Sequence, residues 1–404
     1  MPNVLYLVHD LSDPAVRRRV RMLKAGGAEL TLAGFRRGDD AVTAVEGVAA
    51  IELGQTADAR FGHRLAAVAR ACLRIGDLLR SAPRPDVIIA RNLEMLAVAN
   101  RVATRYGNDV AIVYECLDIH RLLLRDDAVG RALRLAEARL GRNVGLLLTS
   151  SPAFVESYFR PLSGIRAPVQ LVENRMLELD PARSAPAVRS RPPAPGAPWR
   201  IGWFGALRCR KSLELLAAFT RVLEGQFEVV LRGRPARSEF PDFDGFVARE
   251  PYLRFEGPYR NPEDVAAIYD EVQFVWAIDF FEEGLNSSWL LPNRLYEGCR
   301  HGAVPIVVAG TETARFVAAH GIGLTLPEPT VDRLSALLAA MDATRYRAAY
   351  DAVAAEGEKP WIYQRADCVA LVRRLAGLPR RTPCADNAPA YPDLVATKVD
   401  YHDR

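Results

Sequence analysis

The sequence lacks the short signatures of the commonest nucleotide and hydrolytic chemistries. No Gly-x-Gly-x-x-Gly follows the first apolar run, which argues against a standard dinucleotide site. No Gly-x-x-x-x-Gly-Lys-Ser/Thr loop exists, which excludes a P-loop NTPase. His-Glu-x-x-His, Gly-x-Ser-x-Gly and the protein-kinase signatures are missing as well. The cysteines, Cys72, Cys116, Cys209, Cys299, Cys368 and Cys384, have no Cys-x-x-Cys and no ladder spacing. That pattern speaks against a zinc site or a disulfide framework and fits a reducing compartment. No run of about 18 apolar residues is present, so no spanning helix is expected. The opening MPNVLYLVHDLSDP has no basic n-region and too short an apolar run for a signal peptide. A cytoplasmic location is expected.

Lysine is scarce. Only Lys24, Lys211, Lys359 and Lys398 stand against a large excess of arginine. The bias reads either as a GC-rich bacterial genome or as a basic face for anionic lipid or phosphate. The net charge of +4 over 404 residues is modest, and no nucleic-acid partner is expected.

What is present is ordinary globular material, 50% hydrophobic and 25% charged, long enough for two domains with cores of their own. Short apolar runs alternate with helical stretches, the pattern of βαβ units and parallel sheets. The first half predicts strands at Val4–Val8, Glu29–Ala33, Val48–Leu53, Asp86–Ala90, Val110–Glu115, Gly145–Thr149 and Val169–Val172. Helices are expected at Ala15–Lys24, Arg64–Arg80, Leu93–Arg105 and Arg131–Arg142. From Pro181 to Pro198 large apolar residues almost vanish, which reads as a proline-stiffened linker. The pattern then restarts, with strands at Arg200–Phe204, Phe227–Leu231, Leu253–Phe255, Val272–Ile278, Val304–Val308 and Gly323–Leu326. The expected organisation is a first α/β domain over 1–178, a linker over 179–198 and a second α/β domain over 199–358. A closing helix over 359–378 and a loose tail over 379–404 follow. Ligands of open parallel sheets bind beyond the carboxyl ends of the strands, so two such domains predict an interdomain cleft suited to group transfer.

Four strand exits of the second domain carry candidate ligands. In WRIGWFGALRCRKSLELL a strand runs into Gly205, then Arg208, Arg210 and Lys211, with Ser212 as a plausible N-cap. A helix N-terminus with nearby cations receives a diphosphate, or the segment is an ordinary turn with surface arginines. In DFFEEGLNSSWLLPNRLYEGCRHGAVPIVV a strand ends in Asp279 and a helix begins near Pro292, carrying Arg294 and Glu297. Glu297 is placed to accept both hydroxyls of a ribose, the alternative being a solvated helix residue. Tyr259, in FEGPYR, stacks on a base or is an exposed loop residue, and Arg232 and Gly233 form a fourth exit. The Asp242–Asp244 pair lies between proline and glycine and reads as a turn rather than a metal site.

These segments resemble the donor domain of GT-B glycosyltransferases, particularly the large retaining family 4. Gly205, Arg208 and Lys211 match that family's diphosphate segment. Pro292, Arg294, Glu297, Gly302, Pro305 and Val307 match its "Pro-x-Lys/Arg-x-x-Glu … Gly-x-Pro-x-Val" pattern, and Asn174 its strand-end asparagine. HDLSDPAVRRRVRML, YECLDIHRLLL and RIGWFGALRCRKSL resemble the bacterial glycosyltransferases of succinoglycan (exopolysaccharide) biosynthesis. The resemblance runs to about Leu378. It implies two Rossmann-like domains facing across a cleft, a donor site that includes Asn293, a UDP-hexose donor, most naturally UDP-glucose, and a lipid-linked oligosaccharide acceptor. The family's pair of glutamates eight apart is incomplete, because Trp289 stands at the first position. Glu283, or its neighbour Glu282, supplies the missing carboxylate from a longer loop, with Asn286 and Ser287 as further sugar contacts.

The first domain is expected to hold the acceptor. His9, Asp10 and Asp13 follow its first strand, and Glu115, Asp118 and His120 its fifth. An inverting enzyme needs a carboxylate or histidine as general base, and a retaining one needs charge stabilisation at the reacting centre. Asp118 and His120 suit either route. Arg208 and Lys211 offset charge on the leaving nucleotide, so no cofactor is expected and metal independence is predicted. The basic amphipathic segment Arg64–Arg80 reads as a peripheral contact with the inner membrane or as a helix facing its own sheet. Two rival readings remain at this level: a nucleotide-sugar 2-epimerase, which needs no acceptor, and a non-catalytic nucleotide-sugar-binding protein.

Overall fold

The computed structural model describes residues 1–38, 40–56, 61–180 and 191–380. It divides the chain into two units, Met1–Glu173 joined by the chain from Tyr363 onward, and Asn174–Ile362 between them. Of the expected linker, residues 181–190 lie outside the described residues, and 191–198 form irregular chain with one turn. The expected tail lies outside them from residue 381.

Unit 1 is built on β1 (Asn3–Val8), β2 (Glu29–Arg36), β3 (Ala44–Val45), β4 (Val48–Gln55), β5 (Val87–Arg91), β6 (Ala111–Cys116), β7 (Val144–Thr149) and β8 (Val169–Leu171). Their order across the sheet is β3-β4-β2-β1-β5-β6-β7-β8, parallel throughout except for the β3–β4 hairpin. Helices α1 (Pro14–Ala25), α2 (Phe61–Leu78), α3 (Asn92–Arg105) and α4 (Ala128–Leu140) make the crossovers. A short α5 (Pro152–Phe154) continues as a π-helical stretch over Val155–Ser163. All five residues of β5 and all six of β6 are buried, as expected where helices cover both faces of a parallel sheet.

Unit 2 opens with a two-residue strand, β9 (Met176–Leu177), followed by β10 (Trp199–Leu207), β11 (Phe227–Pro235), β12 (Leu253–Phe255), β13 (Phe274–Trp276), β14 (Val304–Val308) and β15 (Leu324–Leu326). β10 to β15 form an all-parallel sheet in the order β12-β11-β10-β13-β14-β15. Pro305 lies inside β14, where a missing N–H is normally costly. β15 pairs only from Ile306 onward, so that N–H has no ladder partner to lose. Helices α6 (Arg210–Val222), α7 (Phe243–Arg249), α8 (Val265–Asp270), α9 (Asn293–Arg300), α10 (Glu312–Ala319), α11 (Val331–Leu338) and α12 (Ala343–Ala355) pack around it. The core on one side of the sheet is aromatic, with Trp203, Phe219, Phe227, Phe274, Trp276 and Tyr346 all buried.

The closing segment is helical only from Arg365 to Ala376 (α13), because Ile362–Tyr363 forms a short strand, β16. α13 belongs to unit 1 and packs against α1. Ser212 is not the N-cap of α6. Cys209 occupies that position, its sulfur accepting from the Ser212 amide at 3.3 Å, while the buried Ser212 hydroxyl accepts from Trp276 Nε1 at 3.1 Å.

One buried carboxyl in unit 1 is held by hydroxyls, with only Arg134 as a weaker charged neighbour. Glu137 of α4 accepts hydrogen bonds from the Tyr114 hydroxyl (2.9 Å) and the Tyr158 hydroxyl, and burial raises it from 4.5 to about 7. The folded state therefore holds a proton that the unfolded state has released, so stability falls as pH rises from about 4.5 to 7 and is level above that. In Glu137→Gln this fall is expected to flatten. The measurement is the thermal midpoint from pH 4.5 to 8, where the variant should gain on the native chain as pH rises.

Candidate functional site

An open parallel sheet binds ligands where the strand order reverses, beyond the carboxyl ends of the two diverging strands. In unit 2 that point lies between β10 and β13. Arg208 follows β10 and Asp279 follows β13, and Arg208 Nη2 donates to Asp279 Oδ2 at 3.3 Å across the opening. Asp279 Oδ1 also accepts from the Phe281 amide at 2.8 Å. Arg294, buried in α9, donates from Nη2 to the Ile278 carbonyl at 2.6 Å and lies 3.9 Å from Asp279. Burial alone would raise the Asp279 carboxyl, but the guanidinium groups of Arg294 and Arg208 outweigh it and the net shift is downward. Lys211, in the first turn of α6, contacts both carboxylate oxygens of Glu283 at 2.6 and 2.8 Å. The rings of Phe281 and Phe280 lie 4.7 and 4.6 Å from the Arg208 and Lys211 cations. Two cations and a helix N-terminus thus converge at one strand exit.

The second cluster of unit 2 surrounds Glu297, which is buried rather than solvated. Its carboxylate accepts from Asn261 Nδ2 at 2.8 Å and from the Tyr269 hydroxyl at 3.5 Å. Burial and the Glu297 charge both raise the Tyr259 phenol, whose ring packs edge-on to Phe204 at 6.5 Å. Pro292 sits at the N-cap of α9 and Asn293 is its first residue. Asn174 donates to the Leu291 carbonyl at 2.8 Å, holding the chain that leads into α9. Ser287 folds into its own loop, its hydroxyl accepting from the Glu282 amide at 2.8 Å, and Asn286 is buried beside it. Arg232 pairs with Glu271 at 3.1 Å. Asp242 caps α7 through the Gly245 amide at 3.0 Å. Among the described residues no group of three or more His, Cys, Asp or Glu side chains is arranged to hold a metal ion.

In unit 1 the strand order reverses between β1 and β5. Arg91 ends β5 and bridges this point, donating to Asp13 at 2.9 Å and to Glu115 at 3.2 Å. Glu115 also accepts from Arg19 at 2.6 Å and from the Tyr6 hydroxyl at 2.5 Å. It is fully buried, and although burial would raise it, the two guanidinium groups hold it at about 2. Glu115 is therefore corrected from a ligand-facing group to the sealed anchor of Arg91. His9 stands over the same cluster, lowered to about 4 by burial and then by Arg91, so its ring is neutral near pH 7. Asp10 accepts from the Ser12 amide and hydroxyl at 2.9 and 2.7 Å, and Asp13 caps α1. Asp118 and His120 are exposed beyond β6. Nδ1 of His120 accepts from the Leu122 amide at 3.3 Å, which puts the neutral ring's proton on Nε2 and makes that atom a donor. Partial desolvation of the ring, then Arg64, lowers its pKa.

No family model matches the sequence. The succinoglycan biosynthesis protein ExoL of Rhizobium meliloti (strain 1021) is 60% identical over 386 residues, covering 95% of each chain. The chain belongs to the ExoL family. Solved structures share this fold at low identity. Sucrose-phosphate synthase of Thermosynechococcus elongatus gives a TM-score of 0.69 at 13% identity, over 92% of this chain and 98% of its own. Anabaena HepE, solved with UDP and glucose, gives 0.63 at 14%, over 93% and 99%. WaaG, a glycosyltransferase of lipopolysaccharide biosynthesis, gives 0.54 at 13%, over 93% and 97%. The fold is that of the GT-B glycosyltransferases.

Three residues that organise these sites carry little signal of their own in the sequence. Asp279 reads as a strand end, while Asn261, before a proline, and Arg91, just past the Asp86–Ala90 run, were not singled out. A charged residue ending a buried strand was the available signal, since a charge there is kept only with a partner. Gly205 and Gly233 are opposed in β10 and β11 with φ of 110° and 132°. A Cβ on Gly233 would lie 1.8 Å from the Gly205 carbonyl oxygen. Gly233→Ala is expected to cost about 1–3 kcal/mol through strain at this exit, read as a lowered denaturation midpoint with an unchanged m-value.

Proposed function

We propose that the protein is a glycosyltransferase that takes a hexose from a UDP-sugar, with glucose as the first choice. The acceptor is a lipid-linked saccharide in the assembly of succinoglycan or a closely similar exopolysaccharide. The observation that carries this reading is the convergence of Arg208, Lys211 and the α6 N-terminus beyond the β10–β13 reversal point. Such a group of positive charges at a helix N-terminus suits a diphosphate and offsets the charge that grows on it as the sugar leaves. We assign that task to these cations rather than to a metal ion. Glu297, held by Asn261 and Tyr269, is suited to the ribose hydroxyls, with Tyr259 beside it for the base. The ExoL relative's role in succinoglycan biosynthesis and the UDP and glucose bound to HepE favour the same donor class. On the acceptor side, the Nε2–H of His120 is suited to donate to a sugar oxygen, and Asp118 to accept from a hydroxyl.

The lipid-linked acceptor implies contact with the cytoplasmic face of the inner membrane, and α2 has a surface suited to it. Ala67, Val68, Ala71, Ile75 and Leu79 are buried, yet Leu73 is 81% and Leu65 51% exposed. Arg70 and Arg74 are exposed between and beside them. Apolar side chains interleaved with cations favour an anionic lipid surface. No helix among the described residues is long and apolar enough to cross a membrane.

Thermal-shift titration with UDP, GDP, ADP and their sugar conjugates tests the donor reading. A ligand at a hundredfold excess over its Kd stabilises by about 2.7 kcal/mol. UDP and UDP-glucose are expected to raise the midpoint, with the shift lost in Glu297→Ala; silence from every nucleotide would sink the proposal. For the membrane contact, binding to phosphatidylglycerol-containing vesicles at low salt should weaken in a Leu73→Ser, Arg74→Ser double variant. Native protein that ignores such vesicles removes the contact.

A further inference from the structure

We propose that Glu283 occupies the seat of a donor phosphoryl group on Lys211, and that the arriving diphosphate displaces it. This rests on the donor reading above and adds a role for one carboxylate that the reading alone does not give.

The geometry is that of a stand-in. Both oxygens of Glu283 face Lys211 Nζ, at 2.6 and 2.8 Å, in the first turn of α6. Two oxygens of one phosphoryl group would approach the same cation in the same way. The segment Asp279-Phe280-Phe281-Glu282-Glu283 thus offers a carboxylate and an aromatic ring to each of the two cations.

The two carboxylates are not equivalent. Asp279 has a side chain 7% exposed and is tied to Arg208, Arg294 and the Phe281 amide, so it is part of the frame. Glu283 is 52% exposed, and Lys211 is its one side-chain partner among the described residues. It precedes Gly284, at φ +78°, and is flanked by the partly exposed Phe281 and Leu285. An ion pair so open to water is weak, which is what an exchangeable occupant requires. A diphosphate carries more charge than a carboxylate and engages Arg208, Lys211 and the α6 amides together, so the exchange runs toward the donor. The displaced carboxylate is repelled by the diphosphate but remains on the adjoining loop.

Calorimetric titration with UDP tests this on the full chain and on Glu283→Gln, Glu282→Gln, Lys211→Met and the Lys211→Met, Glu283→Gln double variant. Glu283→Gln should bind UDP about two- to fivefold tighter, the worth of an exposed ion pair. Glu282→Gln, which removes the same charge from the same loop, should leave UDP affinity unchanged. With Lys211→Met in the background, Glu283→Gln should bring no gain. Equal or weaker UDP binding by Glu283→Gln, with Lys211→Met impaired, overturns the exchange and leaves the donor site standing. A gain that Glu282→Gln matches, or that survives Lys211→Met, overturns it too. Native protein that binds no nucleoside diphosphate overturns the donor reading itself.

Discussion

Where two parallel strands diverge, the sheet leaves a gap at its carboxyl edge that no backbone ladder closes, and in this protein an arginine–carboxylate pair spans it. In unit 1 Arg91 reaches from the end of β5 to Asp13 beyond β1 and to Glu115 in β6. In unit 2 Arg208, beyond β10, reaches Asp279, beyond β13, while Arg294 supports Asp279 from α9. The remaining chemistry depends on these pairs, because each fixes the direction in which neighbouring groups project. His9 stays neutral partly because Arg91 is there, and Glu283 and the Phe280–Phe281 pair hang from the strand exit that Asp279 anchors. A charge as buried as Glu115 left without its partner typically costs about 3–5 kcal/mol. The pairs are therefore structural first and functional by consequence.

The two pairs also differ in a way that suits different tasks. The Arg91 cluster is closed, with Glu115 fully buried and Arg91 nearly so. Its core, Glu115 with Arg91, can set the protonation of a neighbour while itself staying out of solvent. The Arg208 cluster is open on one side, since Arg208 and Lys211 keep 36% and 43% of their side-chain surface. Cations that are partly exposed yet already oriented are the arrangement from which a phosphate contact loses least ordering entropy.

Strand positions were legible in the sequence because a sheet covered on both faces needs unbroken apolar runs, and such runs end where burial ends. Val304–Val308 and Leu253–Phe255 coincide with their expected limits, and most other strands differ by one to three residues at an end. Short elements held by tertiary contacts were not legible: Met176–Leu177 and Ile362–Tyr363 carry too few residues to show a period. Residue type fixed position better than role. Ser212 had the chemistry of a cap, but a tryptophan N–H took its hydroxyl and a cysteine sulfur capped the helix. Glu115 had the chemistry of a base, but two arginines distant in sequence claimed it. Such outcomes depend on which distant side chains arrive, and local pattern does not contain that information.

Unit 1 is not contiguous in the chain. Its closing helix, α13, comes after the whole of unit 2, although it packs on α1 near the very beginning. During synthesis the ribosome therefore releases all the residues of unit 2 before unit 1 can be finished, reversing the usual order in which the first domain is complete first. Until Arg365–Ala376 emerges, the apolar face of α13, including Cys368, Leu371, Val372 and Leu375, is missing from the layer it completes. The chain made after unit 2 is thus what turns the part of unit 1 made before it into a finished domain.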